Sequence, residues 1–330
     1  MHNPSPELPD RPSPDIAVDV AVIRVAHARI LPHVRRTPVM SCRALDEAAG
    51  AVLYFKCENF QEVGAFKARG AANAVFSLTA AEAVRGVVTH SSGNHGAALA
   101  WAAARRGIPA WIVMPDNAPA IKQANVRGCG GQVRLCAPTV AAREAACAAV
   151  QAETGATLVH PYNDWRVIAG QGTAALELLE QIPDLDAVVA PVGGGGLLAG
   201  TAIATHAIRP AARVFGAEPK GADDARRSLA AGHVIAQDNP RTIADGLRTS
   251  LGDKTFAVLS RLVEGIGVAS EEAIVAAMRL TWEKMKIVIE PSSAVPLACL
   301  IERSLDLGGL RVGVILSGGN VDLERLPWQA

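Results

Sequence analysis

Short β-branched, apolar runs alternate along this chain with Ala-rich segments of helical period. "AVLYFKCE" (51–58), "GVVTHSS" (86–92), "AWIVMP" (110–115) and "QVRLC" (132–136) read as strands. So do "TLVHP" (157–161), "DAVVAPV" (186–192), "RVFGAE" (213–218) and "RVGVILSG" (311–318). Between them lie patterns such as "GNHGAALAWAAARR" and "EEAIVAAMRLTWEKM", which place apolar residues on one helical face. This alternation predicts an α/β fold of parallel sheets covered by helices on both faces. The strands between Gly86 and Pro161 predict a compact four-stranded unit. The expected division is a large domain (1–80 and 162–330) with an inserted small domain (81–161).

Composition narrows the class. Half of the 330 residues are hydrophobic and the formal net charge is zero, so a large core is available. The balance gives no electrostatic reason for a nucleic acid or an anionic membrane surface as partner. The six cysteines show no paired spacing and no Cys-x-x-Cys, which argues against a disulfide framework or a zinc site. The Pro-rich start, "MHNPSPELPDRPSPD", has no apolar centre and reads as a disordered tail, not a signal peptide. Ala187 to Thr205 is uncharged and long, but Pro191 and four consecutive glycines rule out a lipid-facing helix. A cytoplasmic protein, expected as a homodimer, fits these features.

Candidate chemistry gathers at the strand ends, where parallel sheets bind ligands. Three strands run into "SSGNHG", "GGGGLLAG" and "SGGN". Small residues there expose convergent backbone N–H groups, which is what an anion needs. One pattern points to a dinucleotide: Gly194, Gly196 and Ala199 satisfy G-x-G-x-x-A, and Glu218 ends the next strand where a ribose acid belongs. An NAD-dependent oxidoreductase, however, leaves Lys67 and Asn94 without a purpose.

Seven motifs in order, "GAFKARGA", "SSGNHG", "AGQGT", "PVGGGGLLAG", "AEPKGADD", "IEPSSAV" and "LSGGNVD", closely resemble the serine racemase and serine/threonine dehydratase family. These are pyridoxal-phosphate enzymes of fold type II, the tryptophan-synthase-β-like fold, and the resemblance runs from about Arg36 to Asp322. It implies that Lys67 is the Schiff-base lysine and that Phe66 packs on the cofactor ring. The amine must be neutral to act as nucleophile and base, and burial moves a lysine that way. Gly193, Gly194, Gly195, Gly196 and Leu197 would present N–H groups to the cofactor phosphate. Asn94 would hydrogen-bond the ring hydroxyl, with helix capping as its structural alternative. Ser317 would face the pyridine nitrogen; a neutral hydroxyl there does not force the ring to protonate and leaves a moderate electron sink.

The same resemblance places Ser91, Ser92, Gly93, Asn94 and His95 around the substrate, with the N–H groups of this loop on its α-carboxylate. Ser92 matches the racemase serine that exchanges a proton on the face opposite the lysine. His95 by itself has no catalytic partner and reads as a structural hydrogen-bonder. Arg143 matches a residue that contacts dicarboxylates in the racemases. Glu218, Asp224 and the Ala222 carbonyl match a divalent-cation site, and their oxygens suit Mg²⁺, Mn²⁺ or Ca²⁺. The expected activity is α,β-elimination from an L-β-hydroxy amino acid to a 2-oxo acid and ammonia, with the cofactor phosphate as a candidate acid for the departing hydroxyl. Serine racemisation and dehydration of threo-3-hydroxyaspartate or phenylserine are the alternatives. The chain ends twelve residues after Gly318, so the regulatory domain of biosynthetic threonine deaminases is not expected. Side-chain selectivity is expected near Tyr162, Trp165, Arg166 and Arg248.

Overall fold

The structure, a computed structural model, describes residues 16–329 apart from Ser92 and Pro119. The Pro-rich tail therefore lies outside the described residues, as does Ser92.

Among the described residues, ten strands form two sheets. The first five are β1 (Val39–Met40), β2 (Val52–Cys57), β3 (Val87–His90), β4 (Ala110–Pro115) and β5 (Gln132–Cys136). The others are β6 (Thr157–Leu158), β7 (Ala187–Pro191), β8 (Arg213–Pro219), β9 (Gly265–Ala269) and β10 (Arg311–Leu316). The larger sheet has the order β1-β2-β10-β7-β8-β9, and the smaller one β5-β4-β3-β6. Every pairing is parallel except β1 with β2.

All eight strands expected from the apolar runs form; five are shortened, two match at both ends, and β8 runs one residue further, to Pro219. The two unforeseen strands have physical reasons. β1 is only two residues long. β9, "GIGVA", carries two glycines and lies at the sheet edge, partly exposed, so it lacks a strong apolar signal.

Packing follows the two-residue period of a strand. Leu53, Phe55 and Cys57 point into one core with Val312, Val314 and Leu316, while Tyr54 and Ile315 face the opposite core with Val188 and Ala190. Helices therefore cover both faces, and the central strands are apolar throughout. The smaller sheet is likewise enclosed by two clusters, one around Leu99, Ile112 and Met114 and the other around Val88, Val113 and Cys147.

The parallel topology brings the carboxyl ends of β2, β10, β7 and β8 to one edge of the large sheet. The loop after β2 leads into the helix Lys67–Phe76, and the turn after β7 into the helix Gly196–Ile208. Among the described residues, no helix is long and apolar enough to cross a membrane.

Candidate active site

Lys67 opens its helix at the end of a strained approach. Val63 and Gly64 both have positive φ, and Ala65 bridges Gly318 in antiparallel fashion. The Phe66 N–H then bonds the Ser317 carbonyl at 2.9 Å, fixing the start of this helix against the end of β10. The Lys67 amine lies 5.0 Å from the Phe66 ring centre and donates to the Pro161 carbonyl at 2.9 Å. Burial pushes it down to about 8, although the nearby Glu290 carboxylate acts in the opposite sense. Such an amine is neutral in a substantial fraction of molecules near pH 8.

The helix carrying Lys67 is anchored by buried charges. Arg69 is fully buried and binds Glu58 through Nε (2.7 Å) and Glu177 through Nη1 (2.8 Å). Lys56, also fully buried, reaches Glu177 at 2.7 Å, the Thr37 carbonyl at 2.8 Å and Gln181 at 2.9 Å. Two cations face two carboxylates with their hydrogen bonds satisfied, which is the condition for tolerating such burial. Despite burial, the hydrogen bond from His27, the Arg69 guanidinium and the Lys56 ammonium hold the Glu177 carboxyl well below its usual range.

The glycine turn has its own logic. Gly195 sits at φ +86° and caps the helix Gly196–Ile208. A Cβ on Gly194 would lie 2.2 Å from the Tyr162 ring, and one on Gly193 would lie 2.9 Å from the Leu247 backbone. These positions are expected to stay bare for an approaching phosphate, and packing against Tyr162 and Leu247 requires them bare as well. The Thr255 hydroxyl donates to the Gly194 carbonyl at 2.9 Å and ties the turn to the helix Asp253–Leu262. The first intrahelical bond runs from Ala199 N–H to the Gly195 carbonyl at 2.8 Å, so the N–H groups of Gly196 and Leu197 open the helix.

On the facing side, β3 runs into Ser91, Gly93 and Asn94. The Ser91 N–H bonds the Val113 carbonyl at 3.0 Å, and its hydroxyl accepts from Gly93 N–H at 3.3 Å. Asn94 does not cap the helix Asn94–Arg106: the cap position is Gly93, which has no side chain. Its amide donates to Glu290 at 3.0 and 3.1 Å, and its oxygen accepts from Asn320 at 3.0 Å. Glu290, which stands inside "IEPSSAV", is not among the expected site residues. It is 5% exposed, and burial raises its carboxyl to about 7. Its signal was an acid placed directly before a proline at a helix start.

His95 is buried; its Nε2 donates to the Val159 carbonyl at 3.2 Å, and desolvation holds the ring neutral. His160 accepts the N–H groups of Tyr162 (3.3 Å) and Asn163 (2.9 Å) on Nδ1, and burial lowers it to about 4. Ser317, at the end of β10, is 3% exposed and lies 3.1 Å from the Ser293 hydroxyl.

The arginines separate clearly. Arg166 is paired with Asp164 at 2.6 Å, and Arg248 is bound to the Thr242 carbonyl through Nε at 2.9 Å. Arg143 donates to the carbonyl of Thr139, one turn back, at 3.3 Å, and forms no ion pair with a carboxylate among the described residues. Its charge bears on both His90 and Tyr162.

Away from these groups, Glu218 and Asp224 are fully buried. Glu218 accepts the N–H groups of Ala225 and Arg226 at 2.9 Å each, and desolvation raises it to about 8. Asp224 Oδ2 accepts from Leu251 N–H at 3.3 Å, while Oδ1 has no partner. Ala222 is buried on the same loop. Among the described residues, no group of three or more His, Cys, Asp or Glu side chains is placed to hold a metal ion.

A family model described as "Pyridoxal-phosphate dependent enzyme" matches residues 30–318. The chain belongs to this family. The cofactor fits what the residues offer: a buried amine of lowered basicity, an open helix start behind glycines and a buried hydroxyl at the end of β10. Within the family, this pyridoxal-phosphate enzyme is 55% identical over 303 residues to a β-hydroxyaspartate dehydratase of Paracoccus denitrificans, covering 92% of this chain and 96% of that protein. It is 50% identical over 315 residues to the serine racemase of Arabidopsis thaliana, covering 94% and 95%. Among solved structures, maize serine racemase superposes with a TM-score of 0.92 at 50% identity, covering 95% of this chain and 96% of that one. This pyridoxal-phosphate enzyme is thus a fold type II member of the serine racemase and serine/threonine dehydratase group. The dinucleotide alternative falls with it.

Proposed function

We propose that this enzyme dehydrates a 3-hydroxyaspartate, releasing a 2-oxo dicarboxylic acid and ammonia. The observation that carries the substrate assignment is Arg143: among the described residues its guanidinium has no carboxylate partner, yet its charge acts on His90 and on Tyr162, which follows the Pro161 that binds Lys67. A β-hydroxy amino acid with a second carboxylate supplies the missing partner. The name of the Paracoccus relative supports the same choice.

Bound pyridoxal phosphate supplies an aldehyde for the substrate amine and a conjugated ring that accepts the electron pair released at Cα. Lys67 would hold the cofactor and, once the substrate amine has taken its place, would as a neutral amine take up the proton from Cα. The β-hydroxyl would leave as water, protonated by the Lys67 ammonium or by the cofactor phosphate, and hydrolysis of the resulting enamine would give the oxo acid and ammonia. The loop Ser91–Asn94 is assigned to the α-carboxylate through its N–H groups. Asn94, held by Glu290 and Asn320, is assigned to the ring hydroxyl, and Gly193–Leu197 to the phosphate. This places the reaction between the inserted unit 81–161 and the remainder. The smaller sheet, which draws its strands from Val87–Leu158, supports that division, as does the bond from Lys67 to Pro161.

A divalent cation belongs at Glu218, Asp224 and the Ala222 carbonyl. Two buried carboxylates that form no ion pair among the described residues, one with an orphaned oxygen, are the support. Hard oxygen donors favour Mg²⁺, Mn²⁺ or Ca²⁺.

Racemisation is the second reading, favoured by the serine at position 92 and by the racemase names among the relatives. Both paths share the loss of the Cα proton. Incubating the holoenzyme with each 3-hydroxyaspartate diastereomer and with L-serine, then measuring oxaloacetate, pyruvate and D-serine, separates them. Oxaloacetate as the main product supports dehydration; D-serine in excess of all oxo acids replaces it with racemisation.

A further inference from the structure

The residues that follow β6 reach three different elements. The Pro161 carbonyl accepts from the Lys67 amine at 2.9 Å. The Tyr162 ring lies so close to the glycine turn that a Cβ on Gly194 would stand 2.2 Å from it, and the Tyr162 backbone covers Gly196. The Asn163 side chain bonds the Asp253 carboxylate at 2.7 Å and the Lys254 N–H at 3.0 Å, at the start of the helix Asp253–Leu262. Yet Pro161, Tyr162 and Asn163 lie outside any strand or helix. Their backbone is tied instead to the ring of His160. Backbone N–H groups only donate. His160 Nδ1 therefore accepts from both Asn163 (2.9 Å) and Tyr162 (3.3 Å), and the ring proton sits on Nε2. The ring stands edge-on to His90 and Tyr162, with 5.6 and 4.6 Å between centres. Burial, with His90, Lys67 and Lys254 acting against protonation and Asp164 for it, lowers His160 to about 4, so Nδ1 stays an acceptor at neutral pH.

We propose that His160 is a positioning residue for Lys67: its Nδ1, bonded to the N–H groups of Tyr162 and Asn163, holds the Pro161 carbonyl where the free Lys67 amine binds it. The inference rests on the reading that Lys67 carries the cofactor and takes up the Cα proton. Both tasks need a free amine in a fixed place, once before the cofactor attaches and again after the substrate amine has replaced it. A lysine side chain otherwise samples many rotamers. Selecting one in advance removes that entropy from the attack and from the proton transfer. Nothing in this role asks for an imidazole. An asparagine oxygen at position 160 can accept from the N–H groups two and three residues on, as in an Asx-turn. Leucine and phenylalanine cannot.

The test takes the full chain stripped of cofactor and follows the absorbance band that forms as pyridoxal phosphate attaches. It is run at pH 9, above the Lys67 value of about 8, where the amine is mostly neutral. His160→Leu should lower the rate constant of attachment by about tenfold, the worth of one hydrogen bond. His160→Phe, which keeps a ring without an acceptor, should do the same and serves if the leucine variant does not fold. His160→Asn should stay within about threefold of the parent, a barrier change well below that of one hydrogen bond. In the loaded enzymes, substrate deuterated at Cα reads the second task. The isotope effect on kcat/KM should rise in the leucine and phenylalanine variants and keep the parental value in the asparagine variant. Borohydride trapping in the parent separates the two layers. If the cofactor is fixed elsewhere than on Lys67, the lysine reading fails and the inference fails with it. If it is fixed on Lys67 while the leucine and phenylalanine variants attach cofactor at the parental rate, the role of His160 is overturned and the lysine reading stands. An asparagine variant as slow as the leucine variant also overturns it, because the acceptor is then not what holds the carbonyl.

Discussion

Lys67 donates to the Pro161 carbonyl at 2.9 Å across 94 positions of sequence, so its amine is held by the chain that leaves the smaller sheet. The contact keeps a lysine of lowered basicity in one place. In the apoprotein its pKa is about 8, down from 10.5, because burial penalises the charged form. Only the neutral amine attacks an aldehyde. The rate of cofactor uptake by apoprotein should therefore rise with pH and level off above about 8, where an ordinary lysine would continue to rise beyond pH 10. The linked stability has the matching sign: between pH 8 and 10.5 the unfolded chain binds more protons at this site, so this group's contribution to apoprotein stability rises with pH. Lys67→Ala should lose the covalent attachment trapped by borohydride and the elimination activity together. Retention of either leaves the lysine assignment without support.

The Arg69 network is expected to matter more for position than for net stability. Removing one partner strands a buried charge, so Arg69→Ala or Glu177→Gln should cost about 3–5 kcal/mol in denaturant unfolding. Replacing Arg69 and Glu58 together by apolar residues of similar volume should cost clearly less than the sum of the single changes. Additive losses in that double-mutant cycle would contradict the picture of one coupled unit.

Chelation tests the carboxylate pair. Protein stripped of divalent cations should melt at a lower temperature, and Mg²⁺ or Mn²⁺ should restore it as any ligand of the native state does. With the cation at 100 times its Kd the gain is about 2.7 kcal/mol. In Asp224→Asn the restoring effect should weaken markedly. Melting that ignores both chelator and metal would remove the cation from Glu218 and Asp224.

Much of this was legible in the residues because parallel strands buried on both faces read as uninterrupted apolar runs. "DAVVAPV" and "RVGVILSG" are plain, and each delivers a loop to the site. The motif set named the family, and the match over residues 30–318 bears that out. What escaped depends on contacts far apart in sequence. Glu290 meets Asn94 across 196 positions, and Arg69 meets Glu177 across 108, and nothing local in either pair announces its partner. β9 escaped because its glycines lower strand propensity while its pairing with β8 holds it in the sheet. The status of three arginines could be sorted only once their neighbours were in place: Asp164 for Arg166, the Thr242 carbonyl for Arg248, and no carboxylate for Arg143.

Arg143 is therefore where the account is most exposed. The measurement is kcat/KM for 2-oxo acid formation from 3-hydroxyaspartate and from L-serine, in the parent enzyme and in Arg143→Ala. A charge-assisted hydrogen bond is worth about 1.5–3 kcal/mol, so the variant should lose roughly 10- to 150-fold on 3-hydroxyaspartate and change less than about threefold on serine. The parent enzyme should prefer 3-hydroxyaspartate. Equal losses on both substrates, or a parent enzyme that favours serine, would contradict the assignment.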